Sequence, residues 1–275
     1  MIIDKSKFAN KKDLIAHIVA NKSELIALKK SATKTTDPSY FISVPEKTEA
    51  NKVITSNLND DLESGIIKRT VVGNAYGWFD SHEDVHIPGI FSKSISENKS
   101  LIFHLHDHLY QVAAKVGTPR NIYEQSVSLS ELGLNKMGST VCLLMDSDIK
   151  KSYNEMIFEE YLTKQINQHS VGMIYVKLFF CANDPDYKEE YANWNTYKGY
   201  VINLDKAEEN GYFWAVTEAK LREISCVLQG SNELTPTINT KHTEPLEDTH
   251  KEEPVITTQK QPINYSSIIK NLKLS

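Results

Sequence analysis

Histidines at positions 104, 106 and 108 alternate with Phe103, Leu105 and Asp107 in the stretch LIFHLHDHLYQVAAKV. Successive side chains of an extended strand point to opposite faces, so this spacing predicts three imidazoles on one side. Two chemistries follow. An imidazole can take a proton from a hydroxyl and return it to a leaving amine, because its ordinary pKa lies near neutrality. Alternate imidazoles on one strand could instead ligate zinc and activate a bound water, with His82 or His86 and Asp84 completing the shell. The first chemistry needs a nucleophile. Ser170, in NQHSVGMIYVKL, opens a β-branched and aromatic run, which places a hydroxyl at the start of a strand. A serine hydroxyl attacks a carbonyl at neutral pH only with a base beside it, so a Ser–His pair across a sheet would be a hydrolase site.

The elements that must position these residues can be read from periodicity. Leu14, Ile15, Ile18, Val19, Leu25, Ile26 and Leu28 recur at helical spacing among lysines, predicting an N-terminal arm of one or two amphipathic helices. Residues 31–61 read as a polar linker, which puts a domain boundary near Glu63. Strands are expected at 65–79 with a bend at Gly73 or Gly77, at the histidine stretch, at 122–129 and at 140–144. A helix is expected over 148–168 from the spacing of Ile149, Tyr153, Met156, Ile157, Tyr161 and Ile166, and a strand over 171–180. Residues 183–197 read as an insertion loop or short helix, and 211–228 as the last strand material. Few helices between strands predict an α+β, mainly β domain over 64–240. The Pro-, Thr-, Glu- and Lys-rich residues 241–275 read as a flexible tail.

Composition narrows the function classes. Of 275 residues, 40% are apolar and 24% charged, with a formal net charge of -5, which speaks against a broad basic nucleic-acid face. Cys142, Cys181 and Cys226 are odd in number and contain no CxxC pair, so they are expected to be core residues of a protein in a reducing cytoplasm. No apolar run is long enough for a signal peptide or a membrane span, so no membrane partner is expected.

Four blocks together carry a resemblance. GNAYGWFDSHEDVHIPGIFSKSI, FHLHDHLYQVAAKV, HSVGM and LREISCVLQGSNELTPT, in this order across about residues 66–238, resemble the prohead maturation serine proteases of tailed bacteriophages, relatives of the herpesvirus assemblins. Departures are Ala113-Ala114 where the family often has an apolar residue and Gly, Met173 for a common Phe, and Gly230-Ser231-Asn232 for a common Pro-Ala-Asn. The resemblance implies an assemblin-like, barrel-like sheet core and a serine endopeptidase without cofactor. Its substrates would be phage scaffold and major capsid proteins, and the chain itself, inside the assembling prohead in the host cytoplasm. The same resemblance makes Ser170 the nucleophile, His106 with Asp107 the His-Asp step carrying the general base, and Glu223, which opens the EIS block, the third member. Asp107 ranks behind Glu223, and His104 and His108 stay open as third members because the herpesvirus enzymes use a second histidine.

The arm over 1–63 is then a candidate propeptide, and both ends are candidates for self-cleavage. A homo-oligomer is compatible with this reading. Two other classes remain beside it: a metal-dependent hydrolase on the His104, His106 and His108 strand, and a non-enzymatic scaffold or assembly protein whose helical ends bind shell subunits.

Overall fold

The computed structural model describes residues 3–34 and 63–238. Most of the linker read from the sequence and the whole C-terminal tail lie outside the described residues. The chain is α+β with more strand than helix, and its strands form one open mixed sheet.

The N-terminal arm consists of α1 (Lys11–Ala20), α2 (Lys22–Ser31) and a short strand β1 (Thr33–Lys34). Asn10 caps α1 by accepting from the Asp13 N–H at 2.9 Å, which satisfies one of the amides a helix start leaves open. The helix then buries Leu14, Ile15 and Ile18, the one-face spacing expected of an amphipathic helix. Lysines on the arm meet acids on the body: Lys5 pairs with Glu83 at 2.5 Å, Lys22 with Glu190 at 2.6 Å, and Lys29 with Asp84 at 2.7 Å.

The body contains β2 (Ile66–Ala75), β3 (Asp84–His86), α3 (Ser92–Asn98), β4 (Phe103–His106), β5 (Lys115–Ser128) and β6 (Ser139–Lys150). It continues with α4 (Glu155–Leu162), β7 (His169–Ala182), α5 (Lys188–Tyr197), α6 (Leu204–Asn210), β8 (Tyr212–Cys226) and β9 (Thr237–Ile238). Sheet order is β1-β7-β8-β4-β5-β6-β2-β9, with β3 pairing beside β8. β4 and β3 run parallel to β8, and the remaining pairs are antiparallel.

The sheet curls so that β2, near one end of the order, packs on β8. The contact is made at Gly73, beside the bulge between Val72 and Asn74, where an added Cβ would lie 2.7 Å from Ile224 Cδ1. Only a residue without a side chain permits that approach. Val71, Met145, Val171, Ile224 and Phe158 meet in the enclosed core.

Several elements differ from their sequence expectation. The helix expected over 148–168 spans only Glu155–Leu162, because Asp148, Ile149 and Lys150 remain in β6, paired to Lys68, Ile67 and Ile66 of β2. Asn154 then starts the helix by accepting from the Ile157 N–H at 3.0 Å. β5 and β6 are far longer than the segments 122–129 and 140–144, since each pairs with the other along nearly its whole length. The material over 211–228 forms a single strand, β8, entered through Gly211 at φ 88°, a left-handed helix stop. All three cysteines are buried and free, and burial pushes the Cys142 and Cys226 thiols up to about 12.

Candidate active site

Ser170 lies near the start of β7, directly opposite Ser225 of β8, and Gly172 lies directly opposite Glu223. Side chains of directly opposed residues share a face, so Ser170, Ser225 and Glu223 project from the same side of the sheet. Gly172 is required there: a Cβ at this position would sit 2.7 Å from Glu223 Cδ and closer still to Oε1. The carboxylate therefore lies flat across β7, two residues from Ser170. Glu223 and Ser225 are buried, and Ser170 is 7% exposed.

The histidine that reaches this carboxylate is His108. Its Nδ1 stands 2.6 Å from Glu223 Oε1, while Ser225 Oγ donates to Glu223 Oε2 at 2.5 Å. An ionised carboxylate only accepts hydrogen bonds. His108 Nδ1 therefore donates to Glu223, which fixes the orientation of the ring. The Nε2 of the ring is buried and has no hydrogen-bond partner. An oriented imidazole with one nitrogen held by a carboxylate and the other available is the arrangement a general base needs.

His106 is not brought to this group. It pairs with Cys226 in the parallel β4–β8 ladder, which directs it to the opposite face from Ser225, and its Nδ1 contacts Asp107 Oδ2 at 3.1 Å. Asp107 is exposed, and the hydrogen-bond partner of its side chain is His106. Simple alternation would send His108 to the side of His106 as well. The chain escapes that parity because β4 ends at His106 and two residues follow in left-handed conformation, Asp107 at φ 51° and His108 at φ 57°. Such backbone is uncommon outside glycine and costs on the order of 1–3 kcal/mol per residue, although Asp tolerates it better than most. No glycine or proline marks the turn, and Asp107, a residue type that tolerates left-handed backbone, is the local signal the sequence offers for it.

His104 belongs to a different network on the inner face. His169 Nδ1 donates to the Thr235 carbonyl at 2.9 Å, which leaves its Nε2 to accept from the Tyr161 hydroxyl at 2.8 Å. The Tyr161 oxygen then accepts from His104 Nε2 at 3.1 Å, and His104 Nδ1 accepts from Ser147 Oγ at 2.9 Å. Gly117 makes room for the last contact, since a Cβ there would lie 2.5 Å from Ser147 Oγ and 3.2 Å from His104 Nδ1. Every polar atom in this chain of bonds has its partner. Burial, with the neighbouring His169 adding to it, lowers His104 to about 3, and burial lowers His169 to about 4 despite the bond to Thr235. These rings are neutral structural groups at ordinary pH.

Because His104 faces inward, His106 lies on that face beside Asp107 and His108 turns outward to Glu223, the three imidazoles do not converge on one ion. Among the described residues, Asp80, Asp84 and His86 are the group whose ligand atoms approach within 4.8 Å of one another. Asp84 already has a cation. Lys29 of the arm is buried against Oδ1, and Tyr175 donates to Oδ2 at 2.5 Å. His86 meets the Asn74 side chain, and Asp80 Oδ1 accepts from the amides of His82 and Asp84. The donor set is thus committed to protein groups.

No family model, no curated protein and no solved structure matches the chain. Among the described residues, no helix is long and apolar enough to cross a membrane.

Proposed function

We propose that the chain is a serine endopeptidase in which Ser170 is the nucleophile, His108 the general base and Glu223 the group that orients it. The observation that carries this reading is the His108–Glu223 pair at 2.6 Å, on the face of the sheet that presents Ser170, with the second imidazole nitrogen unpartnered. His108 takes the place that the His-Asp step suggested for His106. Peptide cleavage would proceed by transfer of the Ser170 proton to His108 Nε2 as Oγ adds to the carbonyl carbon. The same proton then passes to the departing amine, and water repeats the sequence to release the acyl group. Glu223 holds the tautomer and offsets the positive charge that the ring gains.

The block resemblance supports a role as a prohead maturation protease in the host cytoplasm. The curled sheet would be the barrel-like core of that fold, and scaffold and capsid proteins the substrates, together with the chain's own terminal segments. The decisive experiment compares wild type with Ser170→Ala after reaction with a fluorophosphonate, followed by intact-mass and peptide mass spectrometry. Wild type is expected to gain one adduct, located on Ser170, and to shorten on incubation, while Ser170→Ala does neither. Identical masses for the two proteins would sink the reading.

A further inference from the structure

We propose that Ser225 is a positioning residue for this site: its hydroxyl latches the left-handed turn at Asp107 and His108, and so holds the base on the face of the nucleophile. The proposal rests on the peptidase reading for its kinetic consequence and on geometry alone for the latch.

Beyond β4 the chain must reverse the side to which it directs its side chains, and it does so through consecutive residues at φ 51° and 57°. The turn is tied to β8 by two bonds. Asp107 N–H donates to the Cys226 carbonyl at 3.0 Å, and His108 N–H donates to Ser225 Oγ at 3.1 Å. The same Oγ spends its own proton on Glu223 Oε2 at 2.5 Å. One hydroxyl thus fixes the backbone of the residue that carries the base and the carboxylate that orients its ring.

The residues after the turn add a backbone bond from the Leu109 N–H to the His106 carbonyl at 3.1 Å and an edge contact between the Tyr110 and Phe103 rings. Tyr110 is half exposed, and Val112 more so, although Tyr110 does lie under the Arg222 guanidinium. A serine opposite Ser170 could itself be taken for the nucleophile. Ser225 is excluded from that role by its full burial and by the commitment of its proton to Glu223.

Hydrogen exchange in the full-length resting protein tests the latch without need of turnover. The His108 amide, which lies outside any strand, is expected to exchange at least about tenfold more slowly than that of Tyr110, as a hydrogen bond to a buried acceptor requires. Ser225→Ala is expected to remove that protection and the observable Nδ1–H resonance of His108, while the amides of Val171 and Ile224 stay protected. Ser225→Thr, which keeps the oxygen, is expected to restore both. Fluorophosphonate labelling of Ser170 should slow by about tenfold or more in Ser225→Ala and recover in Ser225→Thr.

Should Ser225→Ala fail to fold, the wild-type exchange comparison still decides. A His108 amide as fast as that of Tyr110, or exchange and labelling unchanged in a folded Ser225→Ala, overturns the latch. Slow His108 exchange in a wild-type protein that never labels at Ser170 would keep the latch and overturn the peptidase reading instead.

Discussion

Histidines meet both faces of the sheet formed by β4, β8 and β7, His104 and His169 from within the strands and His108 from the turn after β4, and the two faces use them in opposite ways. On the inner face His104 and His169 share the Tyr161 hydroxyl, and every ring nitrogen is spoken for. On the outer face His108 is held at one nitrogen by Glu223 and left unpaired at the other. Both sets are buried. What differs is the partner: neutral hydroxyls and a carbonyl inside, an acid outside. Inside a protein an imidazole among neutral groups stays uncharged, whereas one beside a carboxylate can accept a proton at tolerable cost. The comparison teaches that residue type and burial do not separate a structural histidine from a candidate base. The unmatched nitrogen and the acidic partner do.

The strongest way to break this contrast is to remove the outer imidazole. His108→Ala is expected to lower the fluorophosphonate labelling rate at Ser170 by roughly 10² to 10⁴, the range for loss of general-base assistance. His106→Ala is expected to stay close to wild type. Equal losses in the two variants would undo the assignment of the base.

Gly172→Ala is the next largest test, because the new methyl group would occupy the space of the Glu223 carboxylate. Labelling at Ser170 should fall by at least about tenfold, as expected when the group orienting a base is displaced, while the far-ultraviolet circular dichroism stays that of the wild type.

On the inner face the expected effect is on stability and not on chemistry. Tyr161→Phe strips the shared hydroxyl and leaves both histidine Nε2 atoms without their partner, a loss of about 1–3 kcal/mol for each buried polar group left unsatisfied. Urea denaturation should record it, and the labelling rate of the folded fraction should not change.

Acid sharpens the same contrast. His104 and His169 bind a proton far less readily folded than unfolded, their folded values being about 3 and about 4. Their contribution is therefore complete above the unfolded value near 6.5 and is lost as pH falls from there toward 4 and 3, at up to about 1.4 kcal/mol per pH unit for each ring. Urea midpoints between pH 7 and pH 5 should drop more in wild type than in His169→Gln. A parallel decline would show that these rings do not carry the effect. The smallest expected effect is that of EDTA: with Lys29 paired to Asp84 and the three clustered histidines diverging, chelation should leave Ser170 labelling unchanged.

Much of the architecture follows from local patterning. The amphipathic arm, the strand after Gly65 and the strand that begins near Ser170 are each set by apolar spacing and β-branched runs, which act within a few residues. The arm is an exception in one respect. Its helices are legible, but its burial of Lys29 against Asp84 is not, because a lysine in a charged helix ordinarily faces water. The long β5–β6 pair shows the same limit, since Asp148 and Ile149 are strand residues only because β2 and β5 lie on either side of them.

From the sequence alone came the inventory of groups able to do chemistry: a serine at a strand start, a run of alternating histidines, and a glutamate that opens the EIS block. Which histidine meets the glutamate was decided only by the folded chain. Alternation is a rule for an unbroken strand, and two left-handed residues after His106 reverse it. The partner that stabilises those residues, Ser225, lies more than a hundred positions away and reaches them through the pairing of β4 with β8. Such a register is fixed by the sum of contacts across the sheet, and no short stretch of residues encodes it.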